Sequence, residues 1–495
     1  MRKKFINLGN SFNNIFKKYS NRVAIQFSEQ EKYKYSDLNN ISNKILELFA
    51  KLKIKKNDVI AIESDKNIIS FCLIIACWKS GVVYSFFDTD DNSERIKKIF
   101  NILNPKRIFT FKKKFINKEF NFKEKFFDKQ KYLDSRILST KNVNLDSYIM
   151  FTSGSTGFPK GVVISHKNLS YFIKWSAKYF KINHNSVLTN LNPLHFDNSV
   201  FDIYSSLLNG ACLVPVKKKE LFEPEILLKK LNHLKCDIWF SVPSLLSFIL
   251  TIADKKKFNE LKLKKIIFGG ERFPINSIKK ILPYLKNTQI FNVSGPTECT
   301  CICSAHKVST KEILNLKNIP VGKINSYFKF KLVSKDKTTK KGELYLEGPA
   351  VSKGYYNNKE ITKMKFYKVN KFFGYKTGDI FKKYKKNNFT IIGRVDNQIK
   401  FLGHRIELEE IENIIIKKYG IEECLLSIKK IKNYPYEKLI CYVRKSNSKK
   451  INNNNLFRLS SFLPYYMCPK ELKYIIKFKY NKNGKLDRNF YKKLK

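Results

Sequence analysis

The stretch "YIMFTSGSTGFPKGVVISHKNL", Tyr148–Leu169, holds the densest run of small polar residues in the chain, and this run lies between two apolar segments. The run and the lysine after it are Thr152, Ser153, Gly154, Ser155, Thr156, Gly157 and Lys160. Backbone N–H groups and hydroxyls in such a loop can bind an anion, and glycine permits close approach of the backbone. The sequence therefore predicts a phosphate-binding loop between two strands.

This loop does not fit the Walker pattern, which requires G-x-x-x-x-G-K-[ST] between a strand and a helix. Here Gly154 and Gly157 are only three residues apart, and Lys160 is followed by a glycine. The next segment, "GVVIS", has the composition of a strand, so no helix dipole is expected at the phosphate. A flexible Gly/Ser turn is the simpler alternative, but such a turn would not require apolar strands on both sides.

The chain has 495 residues and a net charge of +54. Its length suggests about three structural units. The charge would suit a nucleic-acid or anionic-membrane partner, or it reflects a lysine-rich genome, since Asn, Ile, Phe and Tyr are enriched alongside Lys. The lysines are spread over the whole chain and accompany no nucleic-acid-binding motif, which favours the compositional explanation. We therefore expect no nucleic-acid partner.

Cysteine usage predicts a cytoplasmic protein with reduced thiols. The 10 cysteines follow no regular framework, and no secretory signal precedes them. The longest apolar run, near Phe71–Trp78, is far shorter than the roughly 20 residues that span a bilayer. A metal site is conceivable at Cys299, Cys301, Cys303 and His306. Alternation at period two is more typical of a strand with small residues on one face, so we expect a strand there.

Strand and helix patterns alternate along most of the chain. "DVIAIES" and "VVYSFFD" are predicted strands, and "IISFCLIIACWKSG" between them is a predicted buried helix that ends at Gly81. Another helix is expected over "SDLNNISNKILELFAKL", with Ser36 as its N-cap. Such alternation predicts a mostly parallel sheet covered by helices. From about Val321 the pattern becomes β-rich, and a helix is expected from Glu407.

The opening stretch resembles the signature loop of the adenylate-forming enzymes, a superfamily of acyl-CoA synthetases, luciferases and amino-acid-adenylating enzymes. Four further segments resemble its other motifs in the expected order: "FNVSGPTECT" (Phe291–Thr300), "YKTGDI" (Tyr375–Ile380), "GRVDNQIKFLGHRIELEEIE" (Gly393–Glu412) and "NGKLDR" (Asn483–Arg488). Because the five motifs cover most of the chain, it is identified as a member of this superfamily.

The resemblance implies an α/β fold with two domains. A large N-terminal adenylation domain, residues 1–394, would comprise two doubly wound αβ subdomains and a β subdomain. A small, mobile α+β domain, residues 397–495, would rotate about a hinge at Asp396 and place Gly403 on the pantetheine path. Because the chain ends soon after the lysine motif, we expect the carrier to be a separate protein.

The resemblance also implies how ATP is bound and attacked. A substrate carboxylate would attack the α-phosphate, release pyrophosphate and leave an acyl-adenylate. Lys485 would bridge the substrate carboxylate and the α-phosphate, while Glu298 and Thr156 would act in catalysis by holding Mg²⁺. The other ATP-binding residues implied are Thr152, Ser153, Gly154, Ser155, Gly157 and Lys160 at the phosphates, Asn292 at the adenine amine with Val293, Ser294, Gly295, Pro296 and Thr297 after it, and Asp379 and Arg394 at the ribose.

One position departs from the family pattern. Members usually carry an aromatic residue before G-P-T-E, where it stacks on the adenine, but this chain has Ser294. Stacking of a nucleic-acid base on an aromatic side chain contributes about 1–3 kcal/mol. ATP affinity is therefore expected to be lower, or to be supplied by another contact.

The acid substrate is predicted from "FDNS", Phe196–Ser199. In amino-acid-adenylating members the matching aspartate, here Asp197, binds the substrate ammonium, and a carboxylate in an apolar pocket needs such a partner. Asp197 as a helix N-cap is the structural alternative, and it could serve both roles. The implied lining residues are Asn198, Phe201, Ser241, Ile267, Gly269, Val293, Cys301 and Ile302, with Lys485 at the carboxylate.

This largely apolar set suggests a small or medium neutral amino acid. "IIFGGERFP" and "LPYYMCPKEL" resemble D-alanine–carrier protein ligases. Gly269 is smaller than expected for that type, which predicts room for a larger side chain or the other enantiomer.

The predicted function is ATP- and Mg²⁺-dependent adenylation of an amino acid, followed by transfer to the phosphopantetheine thiol of a carrier protein. The nearest alternative is an acyl- or aryl-CoA ligase in which Asp197 is only structural. A non-catalytic nucleotide-binding protein that binds polyanions is a further alternative. The presence of Glu298, Asp379 and Lys485 disfavours it.

Overall fold

The computed structural model describes residues 7–91, 93–111, 119–121, 144–154, 158–285, 287–334, 340–385, 388–430, 437–447, 451–461, 463–480 and 486–493. Ser155, Thr156, Gly157 and Lys485 lie outside these ranges. The chain forms two compact units. The first unit comprises Met1–Phe87, Leu103–Met150 and Gly161–Val395, and the second comprises Asp88–Ile102, Phe151–Lys160 and Asp396–Lys495. The predicted rotation about Asp396 stays a prediction.

The helices, in chain order, are α1 Leu8–Tyr19, α2 Tyr35–Lys51, α3 Ile68–Ser80, α4 Ser93–Leu103, α5 His166–Tyr179, α6 Asn198–Leu207, α7 Lys218–Leu221, α8 Pro224–His233, α9 Pro243–Ile252, α10 Ile275–Ile281, α11 Thr310–Asn315, α12 Lys359–Lys365, α13 Leu408–Tyr419, α14 Asn453–Arg458 and α15 Arg488–Lys493. Within the ranges given above, every helix is too short or too polar to cross a bilayer.

The strands are β1 Val23–Gln26, β2 Lys32–Lys34, β3 Val59–Glu63, β4 Val83–Phe87, β5 Arg107–Thr110, β6 Glu119–Asn121, β7 Asp146–Thr152, β8 Lys160–Ser165, β9 Val187–Asn190, β10 Cys212–Pro215, β11 Ile238–Ser241, β12 Lys265–Phe268, β13 Gln289–Ser294, β14 Ser304–Val308, β15 Lys323–Ile324, β16 Lys329–Val333, β17 Lys341–Gly348, β18 Phe366–Val369, β19 Phe372–Lys383, β20 Phe389–Arg394, β21 Gln398–Phe401, β22 His404–Glu407, β23 Cys424–Lys430, β24 Glu437–Arg444 and β25 Glu471–Ile475.

Two large sheets confirm the predicted α/β class. One has six strands in the order β6-β5-β3-β4-β7-β8, and the other has nine in the order β15-β14-β13-β12-β11-β9-β10-β1-β2. Pairs such as β3 with β4 and β11 with β12 are parallel, while β14 and β2 pair antiparallel with their neighbours. Because parallel strands are buried on both faces, they read as the continuous apolar runs seen in the sequence.

The β-rich region forms a third sheet, in the order β16-β17-β19-β18 with β20 paired to β19. Strands β21 and β22 form a hairpin, and β23, β24 and β25 form a three-stranded sheet. Helix α13 packs on β23 through a separate hydrophobic cluster that includes Ile411, Ile415 and Leu426. The second unit thus has its own core.

Helix α3 is as predicted, with all of its side chains buried and Gly81 at its end in the left-handed conformation (φ 71°). The predicted N-cap of α2 is wrong, because the helix begins at Tyr35. The carboxylate of Asp37, rather than Ser36, accepts a 2.7 Å hydrogen bond from the Lys34 N–H before the first turn. An acidic side chain there also suits the positive end of the helix dipole.

Candidate active site

The small polar loop connects β7 to β8, as predicted, and belongs to the second unit. Ser153 Oγ donates to the Arg405 carbonyl at 2.5 Å. The Lys160 ammonium lies 3.5 Å from a Glu407 carboxylate oxygen, and both side chains are buried. A Cβ on Gly154 would lie 2.0 Å from the Phe158 carbonyl oxygen, so only glycine fits this turn. Phosphate binding by Thr152, Ser153, Gly154 and Lys160 stays a prediction.

Asn292 lies on β13 in the first unit and is almost fully buried. Its side-chain amide donates to the carbonyls of Pro320 at 2.9 Å and Ile319 at 3.3 Å. Both donors of the amide are therefore engaged, and the group it presents to a ligand is the acceptor Oδ1. An acceptor is the polarity that an adenine amine requires, which agrees with the role implied for Asn292.

The G-P-T-E motif forms a tight turn after β13. A Cβ on Gly295 would lie 2.2 Å from the Cys301 carbonyl oxygen. Thr300 and Cys301 have positive φ (57° and 72°), and Cys303 N–H donates to the Ser294 carbonyl at 2.9 Å. The strand predicted through the cysteines is therefore wrong, since the chain reverses there and β14 begins only at Ser304.

Glu298 is fully buried at the end of this turn. The Tyr355 hydroxyl donates to its carboxylate at 2.7 Å, and the Ser352 N–H donates to its main-chain carbonyl at 2.8 Å. A carboxylate held in a fixed orientation is the hard oxygen ligand that Mg²⁺ prefers. The chemistry and fixed orientation of the Glu298 carboxylate therefore fit the Mg²⁺ that the resemblance implies.

The structure brings Asp379 and Arg394 together. They face each other on β19 and β20 and form an ion pair. Arg394 also donates to the Thr377 carbonyl at 3.2 Å, and the Asp379 N–H donates to the Thr377 hydroxyl at 3.1 Å. These bonds fix a carboxylate and a guanidinium side by side, as ribose recognition by both would require.

Asp197 directly precedes α6, but its carboxylate does not cap the helix. Instead, it accepts a 2.7 Å hydrogen bond from the Thr297 hydroxyl of the G-P-T-E motif. Asp197 is therefore the N-cap residue of α6, as the alternative predicted, although its side chain makes no capping hydrogen bond. The contact joins the predicted amino-acid residue to the predicted nucleotide motif within the first unit.

Five of the predicted lining residues belong to one buried hydrophobic cluster, namely Phe201, Ile267, Val293, Cys301 and Ile302. Burial raises the pKa of the Cys301 thiol strongly, and the carboxylates of Asp197 and Asp202 act in the same direction. The thiol is therefore neutral and serves as a small apolar group. The amide of Asn198 lies beside Gly270, 3.5 Å from where a Cβ would stand.

Gly269 does not open extra space. A Cβ there would lie 2.8 Å from Val293 Cγ2 and 3.2 Å from Phe240 Cε2. The expectation of a pocket enlarged by Gly269 is therefore wrong, because these two side chains fill the volume. Phe240 also packs edge-on against Phe201, with ring centroids 5.0 Å apart. It is a contact residue that the sequence analysis missed.

Ser241 lies on the opposite face of β11 from Phe240 and therefore apart from the hydrophobic cluster that contains Phe201. Its hydroxyl accepts from the Trp239 indole N–H at 2.7 Å and donates to the Val242 carbonyl at 3.1 Å. Trp239 belongs to a different hydrophobic cluster from Phe240, because successive side chains of β11 point to opposite faces of the sheet. Period-two alternation separates Phe240 from Ser241, but it does not tell which face of β11 meets α6.

Gly403 lies in the two-residue turn between β21 and β22, where Phe401 pairs with His404. Leu402 and Gly403 have φ of 49° and 80°, and such paired positive values are typical of a type I′ hairpin. The turn itself thus favours glycine, independently of any pantetheine. The role of Gly403 on a pantetheine path stays a prediction.

Lys485 lies outside the described residues, but the end of its motif is firmly held. Arg488 donates to both carboxylate oxygens of Glu412, at 2.6 and 2.5 Å. Glu412 in turn accepts from the Leu426 N–H at 2.7 Å. Glu412 is buried, and burial raises the pKa of its carboxyl, while Arg488 opposes that rise.

These features define an AMP-binding enzyme, and residues 12–356 match the AMP-binding enzyme family. The chain is 34% identical over 356 residues to D-alanine–D-alanyl carrier protein ligase of Listeria monocytogenes, an alignment that covers 69% of this chain and 68% of the relative. It is 31% identical over 482 residues to bacitracin synthase 1 of Bacillus licheniformis, which covers 95% of this chain and 9% of that much longer protein.

Among solved structures, the adenylation domain AlmE of Vibrio cholerae, in complex with glycyl-adenosine-5'-phosphate, superposes with a TM-score of 0.80. It is 21% identical and covers 99% of this chain and 98% of its own. The chain therefore belongs to the AMP-binding enzyme family. The adenylate-forming superfamily and the α/β fold predicted from the five motifs are confirmed.

Proposed function

We propose that this enzyme uses ATP to adenylate an amino acid and then transfers the aminoacyl group to the phosphopantetheine thiol of a separate carrier protein. The observation that carries the proposal is the 2.7 Å hydrogen bond between Thr297 and Asp197. It holds a carboxylate, suited to a substrate ammonium, against the motif that follows the nucleotide strand β13. We further propose that the enzyme acts in the cytoplasm.

In the first step the substrate carboxylate oxygen forms a bond to the α-phosphorus, and the bond to the pyrophosphate oxygen breaks. Asp197 would hold the ammonium, and Asp379 with Arg394 would hold the ribose. Mg²⁺, held by Glu298 with Thr156, would offset charge on the phosphates. Lys485 would stabilise the charge that develops between carboxylate and α-phosphate. In the second step the carrier thiol displaces AMP and forms a thioester.

The side chains around Asp197 support a small neutral amino acid. Phe240 and Val293 occupy the space beside Gly269, and Phe201, Ile267 and Ile302 are apolar and buried. Alanine and glycine are named in two of the similar proteins, as D-alanine in the Listeria ligase and as glycyl-adenosine-5'-phosphate in the AlmE structure. We propose that the substrate of this enzyme belongs to the same size class.

Pyrophosphate exchange into ATP tests the proposal. Purified enzyme would be assayed with glycine, both enantiomers of alanine, serine, valine and phenylalanine, and with acetate, benzoate and palmitate. Exchange that depends on a small amino acid and is lost in Asp197→Ala is the expected result. Exchange supported only by acids without an ammonium group would overturn it. Loading of a phosphopantetheinylated carrier, compared with free CoA as acceptor, then tests the second step.

A further inference from the structure

A second carboxylate follows Asp197 closely in sequence, lies on α6, and has no role in the mechanism above. Asp202 is fully buried, one helical turn beyond Asn198. One of its oxygens accepts hydrogen bonds from the side-chain amides of Asn190 at 3.0 Å and Asn192 at 3.1 Å. Burial raises the pKa of Asp202, and the two amides and Lys66 oppose that rise. A carboxylate is retained here against a substantial desolvation cost.

Lys66 supplies the opposite charge. Its ammonium is buried and donates to the carbonyls of Asn190 at 2.6 Å and Val216 at 2.8 Å. Burial lowers the pKa of Lys66, and the Asp202 carboxylate acts against that shift. The pair therefore lies at the carboxyl ends of β9 and β10, the edge at which ligands bind in open α/β sheets.

Hydrogen bonds connect Asp202 and Lys66 to two parts of the predicted amino-acid site, the segment before Asp197 and the main chain of Phe240. The amide of Asn192 bonds both Asp202 and, at 3.1 Å, the main-chain carbonyl of Phe240. Phe240 is the residue whose ring fills the space beside Gly269. Asn190 and Asn192 also lie at the start of the segment that runs to Asp197, and α6 follows directly after Asp197. Asp202 is thus connected both to the segment that carries Asp197, the proposed partner of the substrate ammonium, and to Phe240, which lies beside the proposed position of the substrate side chain.

We propose that Asp202 and Lys66 are positioning residues for the amino-acid substrate, because they fix the Asn190–Asp197 segment and the main chain of Phe240. The inference rests on the proposed function, since it concerns the same site. The hydrogen bonds that Asn292, Asp379 and Arg394 make to Pro320, to Thr377 and to each other do not involve this pair. Substitution of either residue of the pair should therefore weaken amino-acid binding and leave ATP binding intact.

The test compares Asp202→Asn and Lys66→Met with a matched control, Asp237→Asn. Asp237 is a buried carboxylate at the opposite end of the same strands, where it accepts from the Val187 N–H at 2.8 Å. In the exchange assay, each variant of the pair should raise the KM for the amino acid about tenfold or more, as expected for lost hydrogen bonds to charged groups. The KM for ATP should stay within about twofold, and Asp237→Asn should change neither value.

A double variant separates this role from general destabilisation. If the two residues act as one unit, Asp202→Asn combined with Lys66→Met should cost no more in amino-acid KM than the worse single change. Equal losses in both KM values, parallel to a fall in Tm, would overturn the inference. If Asp202→Asn does not fold, Asn192→Ala tests the link to Phe240 and should give the same selective rise. Absence of amino-acid-dependent exchange in the unchanged enzyme would instead count against the proposed function.

Discussion

The Thr297 hydroxyl donates a 2.7 Å hydrogen bond to the Asp197 carboxylate across 100 residues of sequence. Asp197 thereby has a fixed orientation, set by the motif expected to bind the nucleotide. A carboxylate with one oxygen engaged in this way still has acceptor capacity for a substrate ammonium. This hydrogen bond therefore joins the residue proposed to bind the amino acid to the motif proposed to bind the nucleotide.

Thr297→Val removes this bond while keeping the side-chain shape. We expect the KM for the amino acid to rise about fivefold to tenfold, since a hydrogen bond contributes about 1 kcal/mol and more when one partner is charged. Exchange kinetics at saturating ATP give the measurement. Thr300→Val is the control, because Thr300 is buried in the same turn but bonds the Ala350 carbonyl at 2.8 Å. An equal effect of both changes would mean that the turn, rather than Asp197, is affected.

Tyr355→Phe should weaken Mg²⁺ binding at the proposed site on Glu298. Without the 2.7 Å bond from the Tyr355 hydroxyl, the Glu298 carboxylate loses part of its fixed orientation. We expect the Mg²⁺ concentration for half-maximal exchange to rise several-fold at constant total ATP. Tyr367→Phe is the matched control, since its hydroxyl donates to Glu347 at 3.1 Å in the same unit. An unchanged Mg²⁺ requirement would contradict the role given to Glu298.

Arg488→Lys should separate the two half-reactions. The bidentate bonds of Arg488 to Glu412 cannot be reproduced by an ammonium. Arg488 closes the motif that contains Lys485, so we expect the exchange rate to fall at least tenfold. Transfer from chemically supplied aminoacyl-adenylate to the carrier thiol should stay within about twofold, because Lys485 is assigned to the first step only. Equal losses in both steps would indicate general damage to the second unit.

Gly269→Ala should destabilise the first unit. The added methyl group would meet Val293 Cγ2 at 2.8 Å, and overpacking of this kind costs about 1–3 kcal/mol. Thermal unfolding measures the effect as a fall in Tm. Gly393→Ala is the control, because the nearest atom to a Cβ there is Ile380 Cδ1 at 3.9 Å. A variant as stable as the control would show that the space beside Gly269 can adapt.

Lys79 should make stability depend on pH. Its ammonium is buried among Asn39 Oδ1, Ser42 Oγ and Asn43 Oδ1, at 2.8–2.9 Å. Burial lowers its pKa from 10.5 to about 7. Between these values the unfolded chain binds more protons than the folded one, so this residue's contribution to the free energy of unfolding rises from pH 7 to about pH 10 and is smallest below pH 7.

Lys79→Met should flatten that rise, measured by denaturant unfolding between pH 7 and 10. Lys51→Met, at an exposed site on α2, controls for the loss of one positive charge. If both variants keep the slope of the unchanged protein, Lys79 is not the group responsible.

The fold was predictable where one property of the side chains dominated. A largely apolar run that ends shortly before a glycine gave α3 and its end at Gly81, because few other structures satisfy that pattern. The start of α2 was mistaken because Ser36 and Asp37 are both good partners for a free N–H. Only the geometry showed that the carboxylate is used.

The candidate site was less predictable, for physical reasons that differ from residue to residue. Positive φ at Thr300 and Cys301 is rare for residues with a Cβ, and the turn is possible because Gly295 leaves room for it. A strand as short as β11 gives two alternating faces, and its sequence does not say which one meets α6. Ser241 was implied by the family resemblance, but Phe240 on the other face makes the contact with Phe201.

The second unit is assembled from three separate stretches of the chain, and this arrangement has a consequence for biosynthesis. Ser153 and the Arg405 carbonyl to which it donates are 252 residues apart. At a translation rate of about 5–20 residues per second, roughly 10–50 s pass between their emergence from the ribosome. During that interval Ser153 and Lys160 of the small polar loop lack the partners that they have in the folded unit. Formation of these contacts is therefore timed by synthesis of Arg405 and Glu407, so a chain stalled before them would carry β7 and β8 without these partners.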